Sequence, residues 1–270
     1  MTALQPEGLS IQPRRIDFAL PDVLPRHWHG ADAFKTHFFN SMSILFPDGE
    51  RFFIDSVRHY RPQIHDPEQL ALIKGFIGQE GHHSHEHIEY NRRLSDLGYD
   101  VEKLTRPVQH RIRYANKHFS PERRLAATVA MEHFTAIMAD AVLRDRGWFD
   151  GAIEPMQRIW RWHALEETEH KAVAFDVYMQ VCGDRKLLRA AMRQSTFFFL
   201  KDVTRGMWHM LRRDGELSNI TMWRQGMRWP GGTGGFFSSL GGACPVSTSD
   251  AAYEPIRCER GVRGVRTKKK

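Results

Sequence analysis

Apolar residues recur at three- and four-residue intervals over most of the first 230 positions, the spacing of helices with one buried face. The first such run extends from about Phe34 to Phe46 and resumes through Phe52, Phe53 and Val57. Pro47-Asp48-Gly49 predicts a break between the two halves and a restart just before Glu50. Asp66-Pro67-Glu68 pairs a capping side chain with proline at the first helical position, and it opens a helix that Gly98 closes near Leu97. A shorter helix is expected from Pro107 to Phe119. Ser120-Pro121-Glu122 then opens another, ending near Arg146-Gly147, and Glu154-Pro155 a further one, ending near Cys182-Gly183. Helices from Arg185 to Arg213 and from Leu217 to Met227 complete the series. No strand-like alternation with hairpin turns competes. The pattern predicts an all-α chain with an antiparallel four-helix bundle in the first 183 positions and additional C-terminal helices.

Three segments follow from the same pattern: an irregular arm over 1–30, with Pro25 and Trp28 packed on the body; a helical domain over 31–230; and a tail over 231–270. That tail holds eight of the 21 glycines and lacks an apolar period, which predicts disorder. The net charge of +7 is unevenly placed. Residues 1–184 carry 22 Lys/Arg against 26 Asp/Glu, and residues 185–230 carry 10 against 3. The histidine-rich part is mildly acidic, so no nucleic-acid partner is expected there. The basic, aromatic stretch 185–229 reads first as a helix covering the bundle, with contact to a membrane surface as the alternative. Three scattered cysteines and a polar, proline-bearing N-terminus give neither a disulfide framework nor a secretory signal. The expected location is the cytoplasm, or its membrane face. A dimer is compatible with the sequence.

The candidate chemistry lies in two Glu-x-x-His pairs, Glu80/His83 and Glu167/His170. On a helix, positions three apart lie about 60° from one another, so each pair can face one ion. Glu132 interrupts the apolar stripe Leu125, Val129, Ala136, Ala139, Leu143, and Glu50 interrupts that of Phe46 and Phe53. A lone carboxylate on an apolar face needs a proton, a partner or a metal. The order E, ExxH, E, ExxH on four successive long helices predicts a dimetal centre held by Glu50, Glu80, His83, Glu132, Glu167 and His170. His87, four after His83, and His163, four before Glu167, share the inward face as further ligands or as residues that orient one. Glu166 and Glu169 lie off that line, Glu166 near its edge. Carboxylates with imidazoles and no thiolate suit two iron ions, then manganese, with zinc fitting less naturally.

The segments Phe46–Phe53, Gln79–His83 and Glu166–Phe175 resemble a bacterial family described as predicted metal-dependent hydrolases, over roughly residues 10–230. That resemblance implies hydrolysis by a metal-activated water. The ligand order resembles the ferritin-like di-iron carboxylate proteins, whose enzymes are mainly oxygenases, desaturases and related oxidases. The expectation from both is an oxygen-activating di-iron oxidoreductase acting on a small organic substrate, lipid-like ones included. A metal-dependent hydrolase and a non-catalytic metal-binding protein are the alternatives.

Overall fold

The computed structural model describes residues 10–229, Lys171 and the side chain of Arg146 excepted. The chain is all-α. Its helices are α1 (Ala33–Tyr60), α2 (Pro67–Asp96), α3 (Val101–His118), α4 (Pro121–Arg144), α5 (Glu154–His170), α6 (Val173–Val181), α7 (Arg185–Arg213) and α8 (Ile220–Arg228). Among the described residues the only β pairing is an isolated bridge between His29 and Ala152. The expected tail over 231–270 lies outside the described residues.

Two of the prolines expected to bound helices, Pro47 and Pro107, instead lie inside them. α1 runs unbroken through Pro47, and α3 begins at Val101, six residues before Pro107, where Asp100 caps it by accepting from the Lys103 amide. A proline within a helix orphans the carbonyl four residues earlier. Asn91 Nδ2 donates to the Ser43 carbonyl at 2.9 Å, and Arg205 Nη2 donates to the Lys103 carbonyl at 3.0 Å. Side chains distant in sequence thus replace the missing amides. The third difference is at α5, which ends at His170 and resumes as α6, although no glycine or proline stands between Pro155 and Gly183 to mark a break.

The apolar faces form two clusters, and following each helix from one to the other gives its direction. α1 passes from the first cluster (Phe34, Phe39, Phe46) to the second (Phe53, Val57), and α5–α6 does the same from Met156 and Ile159 to Val173 and Val177. α2 and α4 run the opposite way, from Phe76 to Leu94 and from Leu125 to Val142. Each helix changes cluster at its acidic residue. A polar layer therefore lies between two apolar ones, at mid-height of the body.

α7 packs on α1 and α4, burying Leu188, Phe199, Met210 and Leu211, while Phe197 and Trp208 stay exposed. The basic stretch is thus a covering helix of the body. α4 is long and apolar enough to cross a membrane by length and composition, but most of it is buried and it carries Glu132 into the polar layer. Leu143, expected on its buried stripe, is 37% exposed, and the neighbouring Val142 faces the core instead.

Over its described residues 10–30 the arm is irregular, and Ile11, Phe18, Leu24 and Trp28 are buried in the same clusters, whereas Pro25, expected to pack on the body, is exposed. It crosses α2 where Gly75 and Gly78 leave room: a Cβ at Gly75 would meet the Ile11 carbonyl at 2.5 Å, and one at Gly78 the Pro13 ring at 2.4 Å. That crossing delivers Arg14 to the polar layer.

Candidate metal centre

All eight side chains expected at the centre are buried: Glu50 from α1, Glu80, His83 and His87 from α2, Glu132 from α4, and His163, Glu167 and His170 from α5. His170 links two carboxylates, with Nε2 at 3.4 Å from Glu80 Oε1 and Nδ1 at 3.1 Å from Glu132 Oε2. His83 Nδ1 is 3.6 Å from Glu167 Oε1, which also lies 3.0 Å from His163 Nε2. Donor atoms of Glu80, His83, Glu167 and His170 lie within 4.8 Å of one another, as do those of Glu50, His83 and His163. The two groups share His83.

These residues carry more buried polar atoms than they satisfy among themselves. Both oxygens of Glu80, both ring nitrogens of His83, Glu50 Oε1, Glu132 Oε1, Glu167 Oε2 and His170 Nε2 make no hydrogen bond. A buried unsatisfied polar atom is costly, roughly 1–3 kcal/mol and more when charged. So many converging on one point fit cations, and the donor chemistry, oxygen with imidazole, fits hard to borderline divalent ions.

The surroundings are dry and aromatic. The Phe46 ring meets those of His87 and His163, Trp162 that of His83, and Phe76 that of His170. Burial accordingly dominates the electrostatics. It pushes Glu50 well above the ordinary carboxylate range, against the Ser84 hydroxyl, which donates to Glu50 Oε2 at 2.8 Å. Burial, reinforced by the charge of Glu132, raises Glu80 as well, and it carries Glu132 to about 7 against the pull of His170. Glu167 goes the other way: burial opposes its charge, but His170 and His163 hold it below its usual value. Burial and the neighbouring His163 push His83 down, whereas Glu167 and Glu132 overcome burial to raise His170.

A hydrogen-bonded chain places His87 and His163 in different roles. Asn91 donates through Nδ2 to the Ser43 carbonyl, so its Oδ1 accepts from the Ser43 hydroxyl at 2.9 Å. Ser43 Oγ must then accept from His87 Nδ1, also at 2.9 Å, which leaves His87 Nε2 to accept from His163 Nδ1 at 2.8 Å. His163 consequently turns Nε2 toward Glu167 with its lone pair, or with a second proton when no cation lies between them. His87 thus orients His163, and His163 presents a donor atom to the centre.

Glu166 is a more intimate neighbour than its sequence position implied. It is fully buried, with Oε2 at 3.2 Å from His83 Nε2, while Arg14 Nη1 holds its Oε1 at 3.2 Å. Arg14 also binds Glu169, which accepts from Gln79 Nε2 at 2.8 Å. No local signal pointed to Arg14, because its partners lie 152 and 155 residues away.

Fold and site together define an all-α protein with a buried carboxylate–imidazole centre suited to metal ions. The chain belongs to the family of predicted metal-dependent hydrolases, whose model it matches over residues 12–255. The match reaches beyond Pro230 into the segment set apart above as a tail. Comparison with curated proteins and with solved structures finds no match.

Proposed function

We propose that this chain is a two-metal hydrolase whose ions are held by Glu50, Glu80, His83, Glu132, Glu167, His170 and His163. The observation that carries this reading is the pair of overlapping donor groups sharing His83, lined with buried oxygens and nitrogens that have no other partner. The family description supports hydrolysis over the oxidative chemistry expected from the ligand order. Bound divalent ions would supply Lewis acidity and lower the pKa of a coordinated water. The protein's own part is to fix the donors on four helices and to exclude bulk water with aromatic rings. At Glu50, Ser84 holds Oε2, Oε1 has no other partner, and burial raises the carboxyl group's pKa well above its ordinary value.

A di-iron oxidation is the second reading. It is supported by the carboxylate-rich, thiolate-free donor set and by helix directions in which α1 and α5 oppose α2 and α4, as in a ferritin-like bundle. The experiment is metal analysis combined with turnover of ester and phosphoester panels, before and after chelation. Two ions per chain and chelator-sensitive hydrolysis are expected. Oxygen consumption by the ferrous protein without hydrolysis would replace the first reading with the second. Metal without either activity would leave a non-catalytic binding protein.

A further inference from the structure

A cavity of about 330 Å³ lies beside the centre, walled by α1, α3, α4 and α7. Its volume falls in the range of small-molecule sites, ~300–1,000 Å³. α1 contributes Leu45 to Phe53, and α7 contributes Gln194 to Asp202. Eight residues of helix rise about 12 Å, which is the extent of the lining along the helices.

The lining is largely apolar. α3 makes the outer wall: it buries a single residue, Leu104, and turns the half-buried Val108, Ile112 and Ala115 to the cavity instead of to the core. The charged pair in the wall, Arg111 with Asp202, is mutually satisfied. Gln194 is exposed and accepts from Arg123 Nη2 at 3.3 Å, which marks the mouth. Glu50 is 2% exposed and lines the inner wall, between Leu45 and Phe53 on α1. Its Oε1 is the one buried side-chain polar atom of this lining that lacks a hydrogen bond, among the described residues. A largely apolar cavity with one unpartnered carboxylate oxygen of the candidate centre in its wall can hold a substrate against that centre.

We propose that the cavity binds the apolar alkyl or acyl part of a substrate, with that part against α3 and the reacting group at Glu50. The proposal rests on the metal-centre reading for which end reacts, and on the cavity alone for chain binding. The test is calorimetric titration of the as-purified protein with hexanoate, octanoate and dodecanoate below their micelle concentrations. Affinity should rise about fourfold per added methylene until the cavity is full, from ~0.8 kcal/mol per buried CH₂. Ala127→Trp and Ala115→Trp, which fill the cavity from α4 and from α3, should each weaken dodecanoate at least tenfold while metal content and melting temperature hold. Affinity independent of chain length, or dodecanoate binding undiminished in both variants, overturns the proposal. Chain-length dependence in a protein that binds no metal would sustain the chain site and overturn the metal reading instead.

Discussion

Among the described residues, histidine and carboxylate side chains gather in two places, and only one of them has the unsatisfied atoms of a candidate site. The second gathers His27, His37 and Asp214 within the same 4.8 Å as the candidate centre. There, Asp214 Oδ2 accepts from His27 Nε2 at 2.8 Å, His37 Nε2 at 2.9 Å and Tyr99 OH at 2.8 Å, and Oδ1 accepts from Arg26 Nη1 at 2.8 Å. Every oxygen is satisfied, and a permanent cation already sits on the carboxylate. The cluster ties the arm, α1, the α2–α3 junction and the end of α7 together. Although burial works against its charge, those donors hold Asp214 far below the ordinary carboxylate range. In the centre, by contrast, burial wins at three of four carboxylates and the converging atoms have no partners. Ligand types at ligand distances are thus common to a structural lock and a metal site; the unsatisfied atoms distinguish them.

The largest effect expected from this contrast is that of metal removal. Ions at a thousandfold their Kd stabilise the fold by about 4 kcal/mol, so chelation should lower Tm by several degrees. Glu80→Ala and Glu167→Ala should each bring metal below two per chain. Metal analysis of both variants checks this, and unchanged stoichiometry in the pair would break the ligand assignment.

Next in size is Asp214→Ala. It strands four donors and should cost about 2–3 kcal/mol in denaturant melts, with metal content unchanged. Loss of metal in this variant would erase the distinction between the clusters.

A smaller effect, visible only against pH, sharpens the comparison through its sign. In the metal-free protein Glu132 has its pKa raised from 4.5 to about 7, so its contribution is whole below 4.5 and lost as pH rises through 7. Metal-free Glu132→Gln should therefore be more stable than the parent at pH 7.5, and the gap should close by pH 5. Asp214 is depressed, so its contribution is present above the ordinary carboxylate value and lost as pH falls. Asp214→Ala should be less stable than the parent at neutral pH, and that gap should close in acid. Thermal melts across pH 3.5–7.5 read both gaps, and gaps of the same sign at pH 7.5 would contradict the assignment.

The smallest effect lies outside both clusters. Arg205→Ala removes the donor that replaces the missing amide of Pro107, on a partly exposed helix, and should cost about 1 kcal/mol. A change below 0.3 kcal/mol in the equilibrium melt would show that water replaces the guanidinium there.

How much of this was legible depends on the range of the interaction concerned. Glu80/His83 and Glu167/His170 could be read because helical periodicity alone sets which side chains share a face. Glu50 and Glu132 could be read because a carboxylate on an apolar stripe is conspicuous in one dimension. Pro47 and Pro107 misled because their rescue comes from Asn91 and Arg205, which only the folded chain brings near. Glu166 looked peripheral because the arm that fastens it, through Arg14, reaches α5 by way of the gap at Gly75 and Gly78.

The sequence by itself determined the helical class, the four helices that carry the candidate ligands and the identity of the carboxylates and imidazoles facing inward, since these follow from spacing along a helix of known pitch. Tertiary structure alone decided which of the two histidine–carboxylate clusters has unsatisfied atoms, how Asn91 and His87 orient His163, and that an apolar cavity lies against Glu50. Those properties depend on distances between helices, which the local pattern along one helix does not contain.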